Sequence, residues 1–263
     1  MFGICDLHLG NPFCSLPHFL ELRDYIATTP NAYAICIGDL IEANLLDSKG
    51  SAWDQIITPS KQKRAVIEIL KPIKHKILGM TSGNHEARIY RNTSTDVSEE
   101  MATELGVPYF PDGIYLKVTF GSSNYSLPDR GYSFWVYGTH GWGGARRIGS
   151  KVVKVEDLGD AVHADVYLIA HDHTTHTHPQ NYLVPDNRTY AVDGKPWKVG
   201  LARNHRKNFV GCGAWVKWGG YAQRGGHQPT DLGTSKIILH GLHHGRRDVE
   251  VCSKGNVWGK KRS

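Results

Sequence analysis

No apolar run in this chain is long enough to span a membrane as a helix, so nothing points to a membrane partner. No C-x-x-C pair occurs, and the five cysteines (Cys5, Cys14, Cys36, Cys212 and Cys252) are odd in number, which argues against a disulfide framework. Cys5 and Cys36 fall inside apolar strand patterns, where cysteine acts as a small apolar residue. The start carries no signal-peptide pattern, because Asp6 and His8 interrupt the first apolar run. The expectation is a reduced, cytoplasmic protein. Internal repeats and low-complexity linkers are missing as well. With 263 residues the chain buries a sizeable core, and the simplest count is a single domain over 1–258 with a disordered basic tail at 259–263.

What the chain does have is positive charge and histidine. The formal net charge is +6, and the excess collects at Arg203, Arg206, Lys207, Arg246, Arg247, Lys254, Lys260, Lys261 and Arg262. Such a balance favours phosphate-bearing partners without choosing among them, and reads either as a nucleic-acid track or as a solvated face with a frayed tail. Fifteen histidines exceed any single site, so position decides which of them matter.

Strands alternate with helices in the first half. Apolar runs at 2–5, 32–37 and 76–80 read as strands, and 17–27, 60–70 and 98–105 read as helices. From Asp112 onward strands dominate: 113–120, 132–137, 166–170, 207–218, 236–240 and 248–253. Gly121-Ser122-Ser123-Asn124 marks a hairpin, and 149–158 reads as a helix weakened by its valines and Gly149. The stretch 181–207, rich in Pro, Asn, Arg and Lys, reads as a long surface loop. The pattern as a whole is that of an α/β fold with mixed sheets.

Chemistry-bearing residues sit where these strands end. Asp6-Leu7-His8, Gly38-Asp39-Leu40-Ile41-Glu42, Gly83-Asn84-His85-Glu86 and Ala170-His171-Asp172-His173 each follow an apolar run, and His140 follows another. Neighbouring strands bring such loops to one point. Asp6 and His8, spaced i and i+2, offer one metal a carboxylate and an imidazole. Asp39 can bridge two ions, Asn84 supplies a neutral oxygen, His171 and His173 can serve one ion each, and His140 completes the set. Carboxylates, imidazoles and an amide together suit two hard-to-borderline divalent cations. Taken singly, each cluster also has a plainer reading as turn chemistry or a helix start.

In order and spacing, the clusters resemble the calcineurin-like metallophosphoesterase superfamily, whose blocks run D-x-H, G-D-x-x-D, G-N-H-D/E, a single H and G-H-x-H. The likeness covers residues 6 to 173. It implies a four-layer α/β/β/α sandwich of two mixed sheets flanked by helices, with a dimetal site at the strand ends. It implies further that Asp6, His8 and His173 hold one ion, that Asn84, His140 and His171 hold the other, and that Asp39 bridges. Manganese is the usual metal, with iron–zinc, nickel or magnesium as alternatives. The surroundings of His140, Thr139 to Gly144, look like those of small phosphoesterases carried by phages and prophages. The chain departs from the pattern twice: Ala170 replaces a glycine, and Glu42 replaces the commoner aspartate. Alanine costs little at 170 if φ there is negative and strains the loop if it is positive.

The implied activity is hydrolysis of phosphate esters, leaning to phosphodiesters such as nucleic acids or nucleotides. Phosphomonoesterase action is the alternative, and a non-catalytic scaffold of the same fold is the alternative of another class. Some other metallohydrolase fold with His-x-His is disfavoured, since those place the pair early. His85 is the candidate proton donor to the leaving group, with Glu42 orienting it. Arg146 and Arg147, after the glycines at 143 and 144, are candidates for gripping phosphate, or else form a solvated turn. His176 and His178 read as rim or surface residues. His227, His240, His243 and His244 belong to no motif. Trp142, Trp215, Trp218 and Tyr221 either stack bases or fill the core.

Overall fold

The computed structural model describes residues 1–48, 50–121, 132–186, 190–192, 195–197, 201–224, 226, 228–241 and 248–253. The tip of the expected hairpin (122–124), His227, His243, His244, Arg246, Arg247, Lys254 and the tail 259–263 lie outside the described residues.

In chain order the first half holds β1 (Phe2–Ile4), α1 (Leu16–Thr28), β2 (Ala34–Ile37), α2 (Pro59–Leu70), β3 (Ile77–Thr81), α3 (Asn84–Thr93) and α4 (Val97–Leu105). There follow β4 (Ile114–Phe120), β5 (Tyr132–Thr139), α5 (Ile148–Ala161), β6 (Val166–Ile169) and β7 (His176–Asp186). The chain continues with β8 (Tyr190–Val192), β9 (Lys195–Trp197), β10 (Leu201–Gly211), α6 (Gly220–Arg224), β11 (Lys236–His240) and β12 (Asp248–Cys252).

Two five-stranded mixed sheets result. The first runs β12-β11-β1-β2-β3, with β1, β2 and β3 parallel and β11 antiparallel to β1. The second runs β4-β5-β6-β10-β7, parallel only across β5, β6 and β10. Strand alternation divides the side chains of β2 between two cores. Ile35 and Ile37 face the second sheet with Phe134, Val136, Leu168 and Val210, while Ala34 and Cys36 face α1, α2 and α4. On the far side of the second sheet, Val155 and Leu158 of α5 cover Tyr167, Ile169 and Phe209. Helices, sheet, sheet, helix: the expected four layers are present.

Local chemistry explains the helices. Pro59 opens α2, whose Val66, Ile67 and Leu70 form the buried stripe. Asp96 caps α4 by accepting from Ser98 and Glu99, and Gly106 ends it in the left-handed region. The α5 helix runs from 148 to 161 despite its valines, because Val155 and Leu158 bury against the sheet and that outweighs propensity.

Two expectations are corrected. The described residues of the stretch 181–207 are no loop but the outer part of an antiparallel ribbon, β7 against β10, with β8 paired to β9. Polar composition and proline concealed it. Pro179 and Pro185 lie on β7, an edge strand, where a missing N–H is tolerated. The strand expected over 207–218 starts at Leu201 and ends at Gly211, so Trp215 lies beyond it, packed on Phe19 in the core.

Candidate metal centre

Every ligand candidate lies just past the end of a strand or opens the next helix, and the backbone there is bent to aim it. Beyond β1 and β2 the two chains stay hydrogen-bonded: Asp6 donates to Gly38 O at 3.2 Å, His8 to Asp39 O at 3.0 Å and Leu9 to Leu40 O at 3.0 Å. Leu7 and Leu9 join the helix-side core, which leaves Asp6 and His8 to the site. Asp6, His8, Asp39, His171 and His173 all have positive φ, between 47° and 71°. Such strain in non-glycine residues persists only where the surroundings over-determine it, and it gathers at functional sites. Ala170 has no positive φ, so alanine in place of the usual glycine strains nothing.

Glycine is required at two other positions. A Cβ on Gly38, whose φ is +73°, would lie 2.5 Å from the Gly83 backbone; one on Gly83 would lie 2.2 Å from both the nitrogen and Oδ1 of Asp39. The Gly-Asp and Gly-Asn loops therefore touch backbone to backbone, which brings Asn84 beside Asp39.

Two groups of donor atoms converge on Asp39. On one side His8 Nε2 lies 3.1 Å from His173 Nε2, 3.7 Å from Asp6 Oδ1 and 3.8 Å from Asp39 Oδ2, and His173 Nε2 lies 3.2 Å from Asp6 Oδ1. On the other, His140 Nε2 lies 3.2 Å from Asp39 Oδ2 and 3.0 Å from Asn84 Oδ1, which is 2.7 Å from His171 Nδ1. Ligands each about 2.0–2.2 Å from a shared cation stand roughly this far apart. All seven sequence candidates are thus brought together, with Asp39 common to both groups.

The chemistry of the donor set fits metal. Asp6 Oδ1 is buried, and its near neighbours are the ring nitrogens of His173 and His8 at 3.2 and 3.7 Å, an arrangement that a shared cation would satisfy. The outer ring nitrogens of three histidines are committed elsewhere, as metal-ligating histidines require. His8 Nδ1 faces the Glu42 carboxylate at 3.1 Å, His140 Nδ1 donates to Ile37 O at 2.8 Å, and His171 Nε2 donates to Gly143 O.

The titrating groups show the same concentration of charge. Burial alone would push the Asp6 and Asp39 carboxyls up, but the imidazoles around them (His173 first for Asp6, His140 first for Asp39) hold both well below the usual carboxylate range. Burial opposes charge on His140 too, yet Asp39 and Asp6 bring it up to about 10. Similarly, His8 is held above the usual imidazole range by Asp6 and Glu42 against its burial.

His85 is present but its support differs from the expectation. Its Nδ1 donates to the main-chain carbonyl of Glu42 at 2.5 Å, while the Glu42 carboxylate stands 4.0 Å away and serves His8 instead. His85 Nε2 points to the centre, 3.8 Å from Asp39 Oδ2, so it too falls within ligand distance. Burial, with His8 and Arg88 adding to it, pushes this imidazole down to about 4 despite Asp39.

Sequence reasoning missed Glu86. Its buried carboxylate accepts from the N–H groups of Asp39 (2.9 Å), Leu40 (2.7 Å), Ile41 (3.2 Å) and Gly83 (3.2 Å), tying together both ligand loops. Burial and then Asp39 push its carboxyl up to about 7, against those N–H bonds. Its sequence signals were the last place in the Gly83-Asn84-His85-Glu86 block and the third position of a helix, and the latter has a routine explanation. Arg88, one turn after His85 on α3, was missed as well; it donates to Asn44 Oδ1 at 3.2 Å beside the His85 ring. Asn44 in turn donates to Glu42 Oε1 at 2.8 Å.

Of the arginines, Arg146 lines a cavity of about 380 Å³ beside Thr174, while Arg147 is exposed at the start of α5. His176 and His178 stand off the centre, His178 paired with Glu156 at 2.8 Å. Trp142 and Trp218 are half-exposed, whereas Trp215 is core. Among the described residues, no helix is long and apolar enough to cross a membrane.

No family model matches the chain, and no curated protein matches it. Solved structures do. Vps29 of Chaetomium thermophilum shares 13% identity over 95% of this chain and 94% of its own, with a TM-score of 0.42. A predicted phosphoesterase from Streptococcus pneumoniae shares 11% over 96% and 87%, at 0.35. The nuclease MPE of Pseudomonas putida shares 11% over 83% and 74%, also at 0.35.

Proposed function

We propose that this chain is a calcineurin-like metallophosphoesterase, a dinuclear metal-dependent hydrolase acting on phosphate esters, with phosphodiesters of the nucleotide or nucleic-acid kind before monoesters. The observation that carries the reading is the convergence of seven donor side chains in two groups that share Asp39, with the buried Asp6 Oδ1 facing the His173 and His8 ring nitrogens. Asp6, His8 and His173 would hold one cation, Asn84, His140 and His171 the other, and Asp39 both. Two divalent ions there, manganese first, with iron–zinc, nickel or magnesium as alternatives, would supply charge that acidifies water and polarises a phosphoryl oxygen.

The protein's own groups do the rest. Glu42, the Ile37 carbonyl and the Gly143 carbonyl fix the tautomers of His8, His140 and His171, so each presents a lone pair inward. Glu86 holds the Asp39 and Gly83 loops in register. With Nδ1 committed to the Glu42 carbonyl, His85 turns Nε2 toward the centre; pushed down to about 4, the ring rests neutral and must take up a proton at Nε2 before passing it to the departing alkoxide. Arg146 and Arg147 stand on the loop that His171 anchors at Gly143, and we assign them to substrate binding.

The test is hydrolysis by metal-stripped protein refilled with Mn²⁺, comparing bis-p-nitrophenyl phosphate with p-nitrophenyl phosphate. A higher kcat/KM on the diester is expected. Preference for the monoester would make the protein a phosphomonoesterase, and two bound metals with no turnover of either would leave a scaffold.

A further inference from the structure

The metal centre meets solvent along a rim of partly exposed residues, Asn84, His85, His171 and His173. Asp6, Asp39 and His8 are enclosed, while the His173 side chain is 36% exposed. Beside His173, where the chain leads on into Thr174 and Thr175, the molecule has a cavity of about 380 Å³. Its walls are continuous with the ligand loops. Thr174 and Thr175 follow His173 directly, and Lys151 Nζ ties them in by donating to Asp172 O at 2.9 Å and to Thr174 Oγ1. The opposite wall is Arg146, three residues beyond the Gly143 carbonyl that receives His171. The third wall, Gln228 to Asp231, comes from a distant part of the chain.

The lining fixes the class of occupant. The volume lies at the small end of ligand pockets yet is several times that of inorganic phosphate. A site for a bare anion would not carry the Asp231 carboxylate. Arg146 seeks an acceptor, Asp231 seeks a donor, Gln228 offers both, and the buried Oγ1 of Thr175 has no partner. Sugar hydroxyls and the edge of a base supply donors and acceptors together. Building on the phosphoesterase reading above, we infer that this cavity receives the nucleoside attached to the scissile phosphate, and that Arg146, Gln228 and Asp231 determine specificity for it. A cavity of this size admits one nucleoside, so the substrate enters as a single nucleotide unit or an unpaired strand end.

Two measurements on the metal-loaded protein test this. Binding of thymidine 5′-monophosphate is followed by calorimetry against inorganic phosphate, for wild type, Arg146→Ala and Asp231→Asn. Wild type is expected to bind the nucleotide more tightly than phosphate, and each variant to lose about tenfold of that difference, as for a hydrogen bond to a charged group. Equal affinity for nucleotide and phosphate in wild type, or variants that keep the difference, would overturn the inference. In parallel, kcat/KM for thymidine 5′-(p-nitrophenyl phosphate) is divided by that for bis-p-nitrophenyl phosphate; the ratio is expected to exceed one and to collapse in both variants. A ratio near one in wild type would also overturn it. Absence of turnover on both esters, with nucleotide binding intact, would refute the phosphoesterase reading while leaving the nucleoside site standing.

Discussion

Glu86 gives the sharpest prediction, because it touches neither metal nor substrate and yet ought to govern both. Its Oε2 accepts from Asp39 and Gly83, and its Oε1 from Leu40 and Ile41. Glu86→Gln keeps the shape and converts one oxygen into an NH₂ group. Whichever oxygen is replaced, two buried N–H groups lose their acceptor and face a donor. Each buried unsatisfied group costs about 1–3 kcal/mol, a gross loss of roughly 2–6 kcal/mol. Removing a buried carboxylate that burial and Asp39 disfavour returns part of this. The net is about 2–4 kcal/mol, which at about 2–4 °C per kcal/mol for a domain of this size lowers Tm by roughly 5–15 °C. The loops that slacken carry Asp39 and Asn84, so metal content should fall with stability. Thermal unfolding by circular dichroism and metal analysis after gel filtration are the assays. A Tm within about 2 °C of wild type with both metals retained would refute the claim that this carboxylate holds the site together.

Four further outcomes follow from the same geometry. Asp39→Asn should strip both metals, since it removes the shared carboxylate; a variant that retains two metals by elemental analysis would reject the bridging role. His85→Ala should keep two metals and slow turnover about 10²–10⁴-fold on esters with poor leaving groups, with a smaller loss on nitrophenyl esters; loss of one metal would instead make His85 a ligand. Glu42→Gln should weaken metal retention about 10–100-fold in chelator competition, because the group it touches is His8; if proton transfer alone suffers, the carboxylate serves His85 after all. The metal-free protein should be most stable in mildly acid solution. His140, raised from 6.5 to about 10, and His8, also raised, give stability that is full below pH 6.5 and lost as pH climbs through their folded values. Glu42, lowered from 4.5 to about 2, with Asp6 and Asp39 also lowered, gives stability present above pH 4.5 and lost as pH falls toward 2. Metal requires neutral imidazoles, so loading should abolish the alkaline decline; a chelated sample whose Tm holds steady from pH 6.5 to 10 would contradict this.

By itself the sequence indicated most of the order of elements and nominated the seven donor candidates that the fold brings together. Both follow from local pattern: apolar runs mark strands buried on both faces, as with Ile35, Cys36 and Ile37, and the polar residues that end them have nowhere to point but a shared rim. The β7–β10 ribbon escaped because its two strands support each other, and polar alternation with proline carries no signal until the partner is known. Tertiary structure alone decided which carboxylate serves which histidine. Glu42 and Glu86 look interchangeable along the chain, each close to a Gly-Asp or Gly-Asn block. The close approach of Gly38 and Gly83 puts Glu86 beneath four backbone N–H groups and turns Glu42 toward His8. The cavity beside His173 was likewise invisible in the chain, since Arg146, Thr175 and Asp231 meet only once the sheets have closed. A hydrogen bond is a matter of ångströms and direction, and those are set by how distant segments pack rather than by the order in which they are joined.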